Sequence, residues 1–259
     1  MPTDQFSVAG RNAIVTGASR GIGEATAKRL AADGANVAIC SRTQADVDAV
    51  AEAIEAEGGT ALAVECNIRD ADAVDRLVEE TVSTFGGVDL VVNNAGGEFT
   101  APFEEISENG WQAVVDLNLN GTVRVIQAAG EYMRENGGGD IINVSSVNGQ
   151  RAAPTESHYG ASKAALINLT ETVAAEWAEH EIRVNCVAPG LVQTEGVAAV
   201  LGVDESNLPE REEVDRRIAR PIEIADVVQF LASTGSSFMN GETVTAKGVP
   251  PTEQTSDFV

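Results

Sequence analysis

Short apolar runs, each followed by a longer stretch whose apolar positions recur at helical spacing, alternate along most of the chain. A strand buried on both faces of a sheet is apolar throughout, whereas a helix lying on that sheet shows one apolar stripe. The alternation therefore predicts a parallel sheet covered by helices on both faces. Strands are expected at 11–16, 36–40, 61–65, 88–92, 140–144, 182–187 and 242–246, and helices at 24–34, 44–57, 70–85, 107–134, 157–180 and 222–233. Strands joined in this way give an α/β chain with a doubly wound, seven-stranded sheet. No internal repeat or low-complexity linker breaks the pattern, so 1–259 is expected to be a single domain. The acidic stretch 195–220, interrupted by Gly202 and Pro209, is expected to form a lobe over the substrate, and the polar tail 248–259 to be loose.

The first crossover holds an informative turn. The run ending at Thr16 passes directly into T-G-A-S-R-G-I-G and then into helical periodicity. Gly17, Gly21 and Gly23 let the backbone approach a pyrophosphate, which rests on the positive end of the following helix, as in Rossmann sheets. At the end of the second strand, where an acidic residue would accept the ribose 2′-hydroxyl of NAD, the chain has Ser41 and Arg42. Arg42, together with Arg20 inside the turn, suits a 2′-phosphate, so NADP(H) is predicted ahead of NAD(H).

Ser146, Tyr159 and Lys163 form a second constellation. Tyr159 and Lys163, at i and i+4, share one face of a helix. A phenol ionises near pH ~10, and a neighbouring ammonium favours its charged form, so this pair is predicted to exchange a proton with a carbonyl or alcohol oxygen nearer neutrality. Ser146, expected just past the fifth strand, would donate a hydrogen bond to the same oxygen. Without context, Tyr159 and Lys163 also read as an exposed pair at a helix start.

The T-G-x-x-x-G-x-G turn, the N-N-A-G of residues 93–96 and the Ser, Tyr, Lys spacing together resemble the short-chain dehydrogenase/reductase family. The resemblance runs over roughly residues 8–248. It implies an NAD(P)-dependent oxidoreductase in which Ser146 polarises a carbonyl, Tyr159 gives the proton, and Lys163 lowers the phenol pKa while binding the ribose. Asn118, in D-L-N-L-N-G, resembles the family's helix asparagine, which holds a water linking the lysine to solvent. For the cofactor the resemblance also implies Ser19, Arg20 and Ile22 in the turn and Asn67 and Ile68 at the adenine. Asn93, Ala95 and Gly96 would lie at the nicotinamide-side ribose, with Pro189, Gly190, Val192 and Thr194 around the carboxamide. Asn67 departs from the aspartate usual in the family. A homotetramer built partly on the helices beginning near 107 and 157 is implied as well.

Charge narrows the setting. The chain has 40 acidic and 17 basic residues, a formal net charge of −23, and only three lysines. Nucleic acid or an anionic membrane would be repelled, so neither is an expected partner. Such self-repulsion is relieved by screening, whose length falls from ~30 Å at 0.01 M salt to ~3 Å at 1 M. A protein of a salt-loving organism is predicted, with an acidic mesophilic protein as the alternative. No apolar run approaches the ~18 residues of a membrane span, and residues 1–10 lack the regions of a secretory leader. A cytoplasmic location is expected. Cys40, Cys66 and Cys186 have no metal-ligand spacing and fall in apolar runs, so they are read as free core thiols and no metal site is expected.

With Ser146, Tyr159 and Lys163 all present, ketone and alcohol chemistry is favoured over the enoyl- and dienoyl-CoA reductase branches that 93–99 and 185–190 also resemble. A 3-oxoacyl thioester is the first substrate expected, with sugars and terpenoid alcohols as alternatives. Glu98, Phe99, Gln150, His158, Leu191 and Glu195 are candidates for the pocket wall by position, and Glu98 would oppose an anionic acyl-CoA. A cofactor-binding scaffold or regulator without turnover is the alternative of another class.

Overall fold

The computed structural model describes residues 5–197 and 208–249. The first half contains β1 (Asn12–Thr16), α1 (Gly21–Ala32), β2 (Asn36–Ser41), α2 (Gln44–Ala56), β3 (Thr60–Glu65), α3 (Ala71–Phe85) and β4 (Leu90–Asn93). Next come α4 (Glu108–Val115) and α5 (Gly121–Glu135), joined by a π-helical turn at Asp116–Asn120, then β5 (Gly139–Val144), α6 (Ser157–Trp177) and β6 (Ile182–Pro189). Two short strands, β7 (Leu191–Val192) and β8 (Ile218–Ala219), pair with each other, and α7 (Pro221–Ala232) leads into β9 (Thr243–Ala246).

Seven strands form one parallel sheet in the order β3-β2-β1-β4-β5-β6-β9. The strand order reverses between β1 and β4, which opens a crevice beyond their carboxyl ends. Side chains alternate between two cores, as a pleated strand requires. On β1, Ala13 and Val15 join the core under α1 and α7, while Ile14 joins the core under α3 and α5. Each fully buried Leu or Ile on these faces, such as Leu30, Leu90 or Ile141, is worth roughly 1.5–3 kcal/mol.

The helices follow their sequence signals. Thr26, Ala27, Leu30 and Ala31 make the buried stripe of α1. Asp70 caps α3 by accepting the Asp72 N–H, and Gly86, at φ 88°, ends it in the left-handed region. The expected strands and helices all appear, with ends shifted by one to three residues. Two expectations need correction, and the lobe gains a detail. The helix foreseen over 107–134 is broken by the π turn. The helix foreseen over 157–180 loses α geometry after Trp177 and closes with a 3-10 turn, Ala178–His180. The lobe foreseen over 195–220 contains β8, which pairs with β7 in register Leu191 to Ile218. Residues 198–207 of that lobe and 250–259 of the tail lie outside the described residues.

At the amino ends of the strands, Asp140 is gripped by Arg11 and by Arg183, the latter at 2.6 Å. Arg11 also donates to the carbonyls of Asp89 and Ala232, and Arg183 to those of Leu231, Ser233, Ser236 and Met239. Burial pushes the Asp140 carboxyl above the usual carboxylate range against the pull of both arginines. No helix among the described residues is long and apolar enough to cross a membrane.

Candidate active site

The end of β1, the start of α1 and the end of β4 are laced together by polar contacts. The Asn94 Nδ2 amide donates to the carbonyls of Thr16 and Gly17 at 3.1 and 3.0 Å, and Thr16 Oγ1 accepts the N–H groups of Asn94 and Ala95 at 3.1 Å each. Two glycines make this possible. Gly17 has φ 64°, and a Cβ there would come 2.7 Å from Ala95 Cα. A Cβ on Gly23 would meet the Gly17 oxygen at 2.3 Å and Asn94 Nδ2 at 2.4 Å. The N-cap residue of α1, Arg20, places no side-chain bond on the helix start, so its first N–H groups point into the crevice without a side-chain cap. A tight turn, an uncapped helix start and a cradle that one methyl group would fill fit a dinucleotide pyrophosphate. Asn94 and Thr16 were not foreseen; the doubled asparagine of N-N-A-G at a strand end was the available signal.

On the side where the adenine is expected, the glycine turn lies against β2. Ala18 donates its N–H to the Cys40 carbonyl at 3.1 Å, which sets the turn against the end of β2. Arg42 is exposed. Arg20 is not without a competing carboxylate, because Glu195 lies 3.7 Å away, both side chains being largely exposed. Glu195 is therefore beside the glycine turn and not in the pocket wall. Ser41 Oγ is bonded to Thr43, and the Asn67 side-chain oxygen Oδ1 accepts from Arg69. Ile68 turns its side chain into the core at the start of α5, so only its backbone faces the cleft. Asn93 is similarly committed to the sheet, donating to Asn143 at 2.9 Å, which in turn donates to Thr170. On the other side of the cleft, Gly190 donates to the Ala246 carbonyl at 2.8 Å, Val192 is buried, and Thr194 packs against Gly21.

Ser146, Tyr159 and Lys163 are brought together where β5 ends. Ser146 Oγ accepts the Asn148 N–H at 3.1 Å and shares a hydrogen bond with the Tyr159 hydroxyl. Lys163 Nζ is 5.6 Å from the centre of the Tyr159 ring and donates to the Val144 carbonyl at 2.8 Å. Helix α6 is pinned at this point by unforeseen hydroxyls: Ser145 donates to the Lys163 carbonyl, and Ser162 donates to that of Tyr159. His158 is fully buried, and its Nδ1 accepts the Tyr159 N–H at 2.9 Å. Gln150 is tied to Thr245 in both directions. Leu191 is exposed, and Phe99 packs edge-on against His158.

The electrostatics correct one expectation. The Lys163 ammonium was expected to draw the Tyr159 pKa down, but burial, followed by Glu98, pushes the phenol up, with the Ser146 hydrogen bond opposing and Glu156 adding to the rise. Lys163 is itself brought down to about 8 by burial, with Cys186 and Glu98 opposing. All three cysteines are free and buried, and burial takes Cys186 up to about 11. Among the described residues no cluster of His, Cys, Asp or Glu is arranged to hold a metal.

The π turn places Asn118 inside the molecule. Its Oδ1 accepts the Gly97 N–H at 2.8 Å, and its Nδ2 donates to the Gly97 carbonyl at 2.9 Å and to Ser162 Oγ at 3.2 Å. Its backbone carbonyl accepts Thr122 Oγ1. Inserting one residue into a helix turns side chains out of their regular stripe, a local geometry that helical periodicity does not encode.

Residues 11–201 match the short chain dehydrogenase family. The chain belongs to the short-chain dehydrogenase/reductase family. It is therefore an oxidoreductase acting on alcohol and carbonyl groups. Among its relatives in that family, human dehydrogenase/reductase SDR family member 4 is 36% identical over 252 residues, covering 96% of this chain and 90% of the relative. A 7α-hydroxysteroid dehydrogenase structure containing NADH and 7-oxoglycochenodeoxycholic acid aligns with a TM-score of 0.88 at 30% identity, covering 97% of this chain and 99% of the other. A family structure from Beutenbergia cavernae with NADP bound at low occupancy aligns with a TM-score of 0.85 at 36% identity, covering 94% and 98%.

Proposed function

We propose that this short-chain dehydrogenase/reductase interconverts a ketone and a secondary alcohol with NADP(H). The observation that carries the reading is the gathering of Ser146, Tyr159 and Lys163 at the end of β5, across the crevice from the glycine turn. When bound, the nicotinamide supplies or accepts the hydride. Ser146 offers its hydroxyl proton to the carbonyl oxygen. Tyr159, kept protonated by burial, donates its proton to the oxygen that becomes the alcohol. Lys163 spends one of its three donors on Val144 and keeps the others for the ribose hydroxyls and for proton exchange with Tyr159. Asn118 is a positioning residue, because its side chain is occupied by Gly97 and Ser162; a water relay to Lys163 would use its backbone carbonyl.

Preference for NADP(H) rests on Arg42 and Arg20, whose guanidiniums suit a phosphate better than the exposed Glu195 contact does. Arg42→Asp should shift the ratio of kcat/KM for NADPH over NADH downward by about tenfold or more; an unchanged ratio would remove Arg42 from the cofactor site. We further propose a cytoplasmic homotetramer adapted to molar salt, as the net charge of −23 suggests. Light scattering tests the assembly, and a melting midpoint that does not rise from low to molar KCl would rule out the salt adaptation.

The deciding experiment mixes the protein with NADPH and a panel of ketones in high salt, including a 3-oxoacyl thioester, a sugar ketone, a terpenoid ketone and a 2-enoyl thioester. Oxidation of NADPH with a ketone supports the reading. Cofactor binding with no turnover on any substrate would favour the scaffold.

A further inference from the structure

Segment 96–101 runs across the catalytic groups and is clamped on both sides of Glu98. A methyl group on Gly96 would come 3.3 Å from Lys163 Nζ and 2.8 Å from Asn118 Oδ1, so the backbone there lies directly against both side chains. Gly97 is held at its N–H and its carbonyl by the Asn118 amide. Beyond Glu98, Phe99 closes on the buried His158 with ring centroids 4.3 Å apart, and the Ala101 N–H is bound by the Thr155 carbonyl at 2.9 Å. Thr155 adopts φ 65°, an unfavourable backbone for a β-branched residue, to present that carbonyl.

Among the described residues Glu98 has no hydrogen bond or ion pair, although it lies within electrostatic reach of Tyr159 and Lys163. Glu156, on the opposite lip, is different: Asn148 Nδ2 holds it at 2.6 Å. The cleft therefore has one tethered carboxylate and one exposed carboxylate that has no protein partner among the described residues. Glu98 is exposed to solvent, and partial desolvation followed by Glu156 raises its carboxyl, with Lys163 opposing.

We propose that Glu98 selects the substrate, accepting a hydrogen bond from a hydroxyl or ammonium group carried close to the reacting carbon and turning away substrates with a carboxylate or phosphate there. This deepens the oxidoreductase reading and rests on it. A donor group gains a charge-assisted hydrogen bond to an otherwise unpaired carboxylate, whereas an anion meets like charge in a partly desolvated cleft. Molar salt screens the long-range repulsion from the rest of the acidic surface but acts less on groups in near contact, so discrimination under those conditions falls to Glu98.

The test uses one methyl ketone in four forms, unsubstituted or bearing a hydroxyl, an ammonium or a carboxylate on the neighbouring carbon. Values of kcat/KM are measured with NADPH in molar KCl for the wild type, Glu98→Gln and Glu98→Lys. The wild type should prefer a donor-bearing ketone over the carboxylate by about 10²-fold, Glu98→Gln should cut that ratio by at least about tenfold, and Glu98→Lys should reverse it. Preference for the ammonium form identifies amino ketones as the substrate class and preference for the hydroxyl form identifies hydroxy ketones; each supports the assignment. Because ratios are taken within one protein, partial unfolding of a variant does not imitate the result. Turnover with the same ratio in wild type and Glu98→Gln overturns the assignment of Glu98 alone. No turnover of any ketone by the wild type overturns the proposed interconversion of ketone and secondary alcohol, and the selection with it.

Discussion

The two ends of the sheet treat buried charge in opposite ways. At the amino ends, Asp140 is held by two arginines whose remaining donors go to backbone carbonyls of the segment around α7. At the carboxyl ends, Lys163 is just as buried and has one carbonyl bond and no ion pair among the described residues. A sealed network ties elements together and leaves nothing to react, whereas a buried ammonium without an ion pair beside a phenol costs stability and retains chemistry. A perturbed pKa therefore marks function here only where the group still has hydrogen-bonding capacity to offer: buried Asp140 is pushed up but fully engaged by two arginines, whereas buried Lys163 is brought down and bonds a single carbonyl.

The sharpest way to separate the ends is to remove one group from each. Tyr159→Phe should lower kcat by about 10²–10⁴-fold while the melting midpoint stays within a few degrees of wild type, read by steady-state kinetics beside calorimetry. Wild-type turnover in that variant would end the proton-donor assignment. Arg183→Ala should do the reverse, costing about 3–5 kcal/mol in denaturant unfolding because Asp140 loses half of its compensation. The fraction that remains folded should keep its kcat; if stability holds instead, the network is not the clamp described.

A smaller effect sharpens the electrostatic side. Alcohol oxidation needs Tyr159 deprotonated, so a raised phenol pKa means that oxidation climbs as pH rises and reduction persists into alkaline solution. The ionisable groups acting on Tyr159 are Glu98 and Glu156, both raising its pKa, and Lys163 sits over its ring. Glu98→Gln removes one raising influence on Tyr159 and one supporting charge from Lys163, whose own pKa is already lowered. Loss of the direct influence on Tyr159 moves the oxidation limb toward lower pH, and a limb displaced upward in the kcat/KM profile would show that the carboxylate acts mainly by holding the charge on Lys163. The smallest expected effect is Thr155→Gly, which should relieve the left-handed backbone strain by about 1 kcal/mol in chemical denaturation, offset in part by glycine's greater freedom when unfolded. A loss well beyond that size would mean that the Thr155 side chain contributes more than its single bond to Pro154 suggests.

Much of this was legible in the residues because it is local. Short apolar runs and period-3.6 patterns located the strands and helices, and the glycine spacing at 17, 21 and 23 located the turn, since each depends on neighbours a few positions away. The same holds for Tyr159 and Lys163, which one helical turn brings side by side. Other features depend on partners far along the chain and have no local signature. Asn94 gains its place from Thr16 and Gly17, Asn118 from Gly97 and Ser162, and Arg183 from Asp140.

The direction of the Tyr159 shift shows this division most plainly. Adjacency of a phenol and an ammonium is a property of the chain, and it pointed downward. How far each group is stripped of water, and which carboxylates from distant loops come near, is a property of packing, and it turned the balance upward. Coulomb attraction can be read from spacing along a helix, but desolvation cannot, because it is the sum of everything the rest of the fold lays over the group.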